Sequence, residues 1–360
     1  MDFLGSISGF FYFALLLSVI VSIHEFGHLV VAKIFNVYCY EYSIGMGPKL
    51  FSKKGKETMY CVRLLPIGGY VAMAGENDGV GEEYGAIEVP PERTIGGIHP
   101  FKRILVMLAG VTMNFLLAWL LASSVFLMNG VFYEAPEPIV DSVVADSPAE
   151  KAGFKAGDII RKVTFDGTTI VPETFYDVST FTMSYDGVVL YDVERDGQML
   201  TLSCKGELDM EDGLYYIGIY LPDRKAVKIT PLNCLAYGGN YLIDTARSMF
   251  ISLARIFRGK DIDQLSGPVG IYNVTKETAA LGMKNYLLLM SILSLNIGIV
   301  NLLPLPVMDG GRVVITFGEW VFNTKMNKKL EYALMIACWV LLIGLMVFIT
   351  WNDLTKMILQ

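Results

Sequence analysis

Three stretches of this 360-residue chain carry no charged side chain over a length that can cross a bilayer: Ile104 to Met128, Tyr286 to Met308 and Tyr332 to Trp351. About 20 apolar residues in a helix cross about 30 Å of hydrocarbon. Inside that layer every backbone polar group must be satisfied internally, which restricts spanning segments to helices and closed barrels. A fourth apolar stretch, about Ile7 to Phe35, is interrupted only by His24, Glu25, His28 and Lys33. Apolar residues make up 53% of the chain and charged ones 18%, so these runs are not isolated accidents in a polar protein. The expected fold class is an α-helical polytopic membrane protein with four transmembrane helices, at 7–35, 104–128, 286–308 and 332–351.

Lysine and arginine set the expected orientation. Lys33, Lys49, Lys53, Lys54, Lys56 and Arg63 follow the first span, and Lys102 and Arg103 precede the second. Arg312, Lys325, Lys328 and Lys329 lie between the last two. Both basic loops are therefore expected on the cytoplasmic side, with both termini and the long section between the second and third spans outside. The N-terminal stretch lacks a positive n-region and carries Asp2, so it reads as an anchor and not as a cleaved signal peptide. A net charge of −7 without a basic block excludes a nucleic-acid partner and leaves the lipid bilayer as the expected one. The five cysteines have no metal-site spacing and read as free thiols, although Cys204 and Cys234 can pair if both lie outside the cell.

The segments between the spans differ in pattern. Residues 1–128 form the first half of a membrane core, in which about 60–73 reads as a membrane-associated β-hairpin. Gly68 and Gly69 suit its tight turn. Glu76 to Arg93 is acidic, rich in Gly and Pro, and reads as a loop. Residues 134–222 alternate in short β-like runs, with Glu194-Arg195-Asp196-Gly197 as a hairpin turn, and predict an inserted β-rich domain. In 231–258 apolar residues recur at three- and four-residue steps, which predicts an amphipathic connector helix. It would pack on the small domain or lie in the membrane interface. Residues 266–360 form the second half of the core.

The chemistry concentrates in His24-Glu25-Phe26-Gly27-His28. On a helix the two histidines at i and i+4 share a face and can hold one Zn²⁺, with Glu25 placed as general base. Ionisable groups within a span are costly and point to function. A catalytic zinc takes three protein ligands and leaves a position open. His99 is a formal candidate for the third, but Asp309 is better. It follows Pro304 and Pro306, which break the apolar run and expose backbone that a membrane tolerates only against protein or a wet cavity. Asn114 and Asn301 can each position the scissile peptide, or serve only as interhelical hydrogen-bond partners. Gly110 permits close helix packing.

With these residues the chain resembles the site-2 protease family of intramembrane zinc metalloproteases (peptidase M50-like), in its bacterial regulated-intramembrane-proteolysis branch. His24, Glu25 and His28 fit its HExxH. Asn301, Pro304, Pro306, Asp309 and Gly310 fit its Asn-x-x-Pro-x-Pro-x-x-Asp-Gly motif, in which the aspartate is the third zinc ligand. Gly110 and Asn114 fit a Gly-Pro-x-x-Asn motif, with Val111 where proline is usual. Arg63 to Val71, including Gly68 and Gly69, is similar to the hairpin that presents unwound substrate. Ser147 to Ile160 is similar to the stretch seen in bacterial PDZ domains of proteases, so the inserted domain is expected to be PDZ-like, extracytoplasmic and single. Ser266 to Ile271 is a further family-like stretch.

The resemblance implies an endopeptidase of the bacterial plasma membrane with one Zn²⁺ per chain and its site near the cytoplasmic side. Its substrates would be single-span membrane proteins, such as anti-sigma factors or remnant signal peptides, already trimmed by an upstream protease. Two other classes compete with it. A silent scaffold has no need of Glu25, and a metal transporter calls for more intramembrane polar groups than this chain has.

Overall fold

The computed structural model describes residues 3–76, 84, 87–183, 186–209, 213–257 and 267–359. Half of the predicted acidic loop, together with Arg258 and Ser266, lies outside them. The chain divides into two compact units, Met1–Met128 with Thr230–Gln360, and Asn129–Ile229.

The larger unit begins with helix α1, Phe3–Ile34. Strands β1 (Cys39–Lys54) and β2 (Met59–Met73) follow, then helix α2, Pro100–Asn129. Here the structure corrects the expected hairpin. Residues 60–73 are not two strands around Gly68-Gly69; they belong to the single strand β2, which pairs antiparallel with β1. The pairing is bent: Ser43 lies opposite both Cys61 and Tyr70, so that part of β1 is flanked on both sides. Gly45, Gly47 and Gly68 permit the bends, with φ of 81°, 85° and 85° that other residues adopt at a cost. Leu29 and Ala32 of α1, Val37, Tyr42, Val71 and Val106 of α2 form the core that seats the sheet on the helices.

The smaller unit starts with β3 (Val131–Tyr133) and β4 (Ser142–Val143), then a short helix α3 (Pro148–Ala152). β5 (Ile159–Phe165), β6 (Thr168–Ile170), helix α4 (Phe175–Met183), β7 (Val188–Arg195) and β8 (Gln198–Lys205) follow. A four-stranded sheet of order β6-β5-β7-β8 covers a core of Val140, Phe154, Ile160, Val178, Tyr191 and Val193. The expected hairpin turn is present: Arg195 pairs with Gln198, and Asp196 and Gly197 take φ of 51° and 76°, the positive angles a two-residue turn needs. The unit is wider than the expected 134–222, because β3 pairs antiparallel with Ala226–Lys228.

Back in the larger unit, helix α5 (Cys234–Phe257) is the predicted connector. It packs on the helical core: Leu242 packs with Ala118 and Ala122 of α2, and the Trp119 indole donates to the Leu235 carbonyl at 2.8 Å. Helix α6 (Pro268–Ala280) escaped sequence reasoning. Helices α7 (Met283–Asn301), α8 (Asp309–Phe322) and α9 (Lys328–Leu359) complete the unit. The described residues contain four helices apolar and long enough to cross a membrane, within α1, α2, α7 and α9. The third apolar run continues to Met308, yet its helix stops at Asn301. Pro304 has no N–H to give and its ring opposes the carbonyl four residues back, so the run cannot stay helical. Along most of α9 apolar side chains point outward, as a lipid-facing helix requires. Asp353 ties it to α6 by accepting the Gly267 and Gly270 N–H groups at 2.9 Å each.

Candidate metal centre

His24 and His28 lie one turn apart on the inward face of α1, both buried. Their Nε2 atoms are 3.2 Å apart. This is the geometry that i and i+4 impose on a helix. Gly27 between them lets α2 come close: a Cβ there would collide with the Ala109 carbonyl and lie 2.8 Å from Met113 Cγ.

One stripe of α2 cradles both rings. The Val106 carbonyl lies 2.8 Å from His28 Nδ1. One turn on, Gly110 leaves the space the imidazoles occupy; a Cβ there would collide with His28 Nε2 and lie 2.7 Å from His24 Cε1. A further turn on, the Asn114 side-chain amide lies 3.3 Å from His24 Nδ1. Gly110 thus makes room for side chains as much as for a helix backbone.

The third donor comes from the break after α7. Residues 302–308 leave the helix, and α8 restarts at Asp309. The non-helical segment therefore ends at Met308. Gly310 and Gly311 lie in the first turn of α8, pressed against that loop: their Cβ atoms would stand 2.7 Å from the Leu303 oxygen and 2.7 Å from the Pro306 nitrogen. This close approach delivers Asp309 to the histidines. Its Oδ2 is 3.1 Å from His24 Nε2 and 3.4 Å from His28 Nε2.

These donors suit a metal ion. Three mutually close atoms of this kind, two imidazole nitrogens and a carboxylate oxygen, are a group able to hold one. Ligands of a tetrahedral zinc at about 2.0–2.1 Å stand about 3.3 Å apart, close to all three separations here. Two histidines and one carboxylate is a ligand set of hydrolytic zinc sites that keep a position open.

A cavity of about 430 Å³ adjoins the triad, lined by Glu25, Tyr70, Val71, Asn301 and Arg312 among others. Glu25, next to His24 in sequence, is half-buried. Gly69 passes close by, since its Cβ would lie 3.8 Å from Glu25 Cγ. Pro306 also lines the cavity, while Pro304 is exposed. Asn114 is fully buried and turned to His24, outside the cavity lining. Gly68 lies against Met46. His99 is exposed, its ring edge-on to Trp320 and its Nδ1 accepting from the Phe101 N–H, so it caps α2 far from the donors.

Three ionic pairs, at two places, were not legible in the sequence. Arg312, one turn beyond Asp309, pairs with Glu76 at 2.5 Å. Glu41 of β1 is fully buried and held by Lys49 at 2.8 Å, Arg63 at 2.7 Å and the Tyr70 hydroxyl at 2.8 Å. Burial alone would raise its pKa, but those three donors outweigh burial and bring it down to about 2. Isolated acidic and basic residues on bent strands carry no period that announces such pairs. All five cysteines are free and buried, so Cys204 and Cys234 do not pair.

The family model for peptidase family M50 matches residues 12–345. The chain is 30% identical to the zinc metalloprotease RasP of Shouchella clausii, over 96% of this chain and 98% of that one. It is 29% identical to the regulator of sigma-W protease RasP of Bacillus subtilis, over 96% and 98%. With the Clostridium perfringens protein CPE1693 it shares 34% identity over 95% and 97%. The first alignment runs over 421 residues, so that relative carries insertions absent from this 360-residue chain. The Clostridium alignment runs over 345.

Proposed function

The chain belongs to peptidase family M50, and from that premise we propose that it is an intramembrane endopeptidase which holds one zinc ion on His24, His28 and Asp309 and uses Glu25 as general base. The observation that carries this reading is the triangle of two buried histidines and the half-buried Asp309 beside Glu25, opening onto a cavity among apolar helices. A zinc ion bound there would polarise the scissile carbonyl and acidify the attacking water. Glu25 accepts the water's proton and passes it to the departing amine.

A substrate helix must unwind before a carbonyl can be attacked, because its carbonyls are otherwise bonded within the helix. The Gly69–Met73 part of β2 borders the cavity at Tyr70 and Val71, and its described pairing is to β1 alone. We assign it the pairing of an unwound substrate strand, whose backbone groups are thereby satisfied. Asn301, which lines the cavity, would hold that strand.

The substrates we propose are single-span membrane proteins already trimmed by an upstream protease, such as anti-sigma factors or remnant signal peptides. The Bacillus subtilis relative, a regulator of sigma-W protease by name, supports the first class. The protein would sit in the bacterial plasma membrane. Its basic loops and its site would lie toward the cytoplasm, and both termini and the 129–229 unit outside. That unit would be a PDZ-like domain that docks or filters substrates.

The test is cleavage of a co-expressed, trimmed single-span substrate by wild type, Glu25→Gln and Asp309→Asn, with zinc measured in each purified protein. Both variants should lose cleavage, by a factor of about 10² or more for Glu25→Gln. Glu25→Gln should keep its zinc and Asp309→Asn should hold it weakly. Cleavage at the wild-type rate by Glu25→Gln would overturn the mechanism.

A further inference from the structure

Resting on the zinc site proposed above, we infer that Asn114 is a positioning residue for that site: its side-chain oxygen accepts the Nδ1–H of His24 and so leaves Nε2 free to bind the metal.

A neutral imidazole carries one N–H, and the nitrogen without it is the ligand. In His28 the choice is made by the backbone. Nδ1 lies 2.8 Å from the Val106 carbonyl, which can only accept, so the proton sits on Nδ1 and the Nε2 lone pair faces His24 and Asp309. His24 is an equal partner in the triangle and needs the same tautomer. The group facing its Nδ1, at 3.3 Å, is the Asn114 amide.

As placed, the amide nitrogen faces the ring; Nδ1 then accepts and the proton sits on Nε2, where it blocks ligation. A half-turn about the Asn114 amide places the oxygen there instead. Asn114 is fully buried, and the amide atom turned from the ring has no hydrogen-bond partner. The orientation toward His24 is therefore chosen by the imidazole. The residue is also held from behind: Ser294 of α7 donates its hydroxyl to the Asn114 backbone oxygen at 2.9 Å.

Val106, Gly110 and Asn114, spaced four apart on α2, then act as one device. The first sets the His28 tautomer, the second admits both rings, and the third sets the His24 tautomer. Such outer partners of metal-bound histidines are worth about 10- to 100-fold in metal affinity. Neither Leu nor Ala at position 114 can accept a hydrogen bond from Nδ1–H, whereas Asp can.

The experiment compares full-length wild type with Asn114→Leu, Asn114→Ala and Asn114→Asp in detergent. Zinc affinity is read by chelator competition, the Co²⁺-substituted site by its visible absorption, and substrate cleavage beside both. Leu and Ala variants should bind zinc about 10- to 100-fold more weakly and show a changed Co²⁺ spectrum, while the Asp variant should stay within about threefold of wild type. Two non-accepting variants are used so that a folding failure of the bulkier one leaves a reading. If Leu or Ala variants bind zinc as wild type does, with an unchanged Co²⁺ spectrum, the inference is wrong; lost cleavage would then assign Asn114 to the substrate. An Asp variant as weak as the Leu variant would also overturn it. Absence of zinc from the wild type would instead sink the metalloprotease reading itself.

Discussion

Arg312 Nη1 and Glu76 Oε1 stand 2.5 Å apart, which ties the first turn of the helix bearing Asp309 to the segment just beyond β2. Both side chains line the cavity, so the pair joins the ligand loop to the strand edge on which the substrate is proposed to lie. Displacing a positioning group by a fraction of an ångström is costly to reactions that depend on alignment.

Glu76→Gln and Arg312→Met should each lower cleavage by roughly tenfold while zinc content stays at wild-type stoichiometry. The double variant should lose little more than either single one, because both remove one interaction. Cleavage rates for the four proteins of this cycle check it, and additive losses would show that the two residues act independently.

Gly110→Ala separates helix propensity from site chemistry. Alanine favours a helix interior by about 1 kcal/mol over glycine, so the change should help an ordinary helix. Here the added methyl meets His28 Nε2 and the His24 ring. The expected outcome is lost zinc and lost cleavage in a protein whose metal-free helix content by circular dichroism matches wild type. Retained zinc would mean that α2 can withdraw from α1 without disturbing the ligands.

Glu41 makes the sheet sensitive to acid. Its carboxyl titrates near 2 in the folded protein, below its ordinary value of 4.5. A depressed folded pKa gives stability that is fully present above about 4.5 and is lost as pH falls toward 2. Glu41→Gln should lower the melting temperature at pH 6 and leave Arg63 and Lys49 without their buried counter-charge. The gap between variant and wild type should narrow as pH drops from 5 to 3. A gap that does not change with pH would show that the ion cluster does not set the stability of this sheet.

Much of the site was written locally. The i, i+4 spacing of His24 and His28 places two donors on one helical face whatever surrounds them, because 3.6 residues per turn allows nothing else. Pro304 and Pro306 announce a broken helix through their missing N–H groups. The uncharged runs announce the spans because hydrocarbon excludes charge. The two-residue turn at Asp196-Gly197 was legible for the same local reason, its positive φ angles.

What only the tertiary structure decided depends on elements far apart in the chain. Asp309, and not His99, reaches the histidines, because Gly310 and Gly311 let α8 pack down on residues 302–308 while His99 is turned to Trp320. Asn114 faces His24 and not the cavity because α2 runs against α1 at Gly27 and Gly110. The strand partner of 60–73 is β1, brought there by bends at glycines whose neighbours show no repeating pattern. Residue identity sets the local period and the preferred backbone angles, and these act over a few residues. Contacts between α1, α2 and α8 are set by close approach and side-chain fit, which no local period encodes.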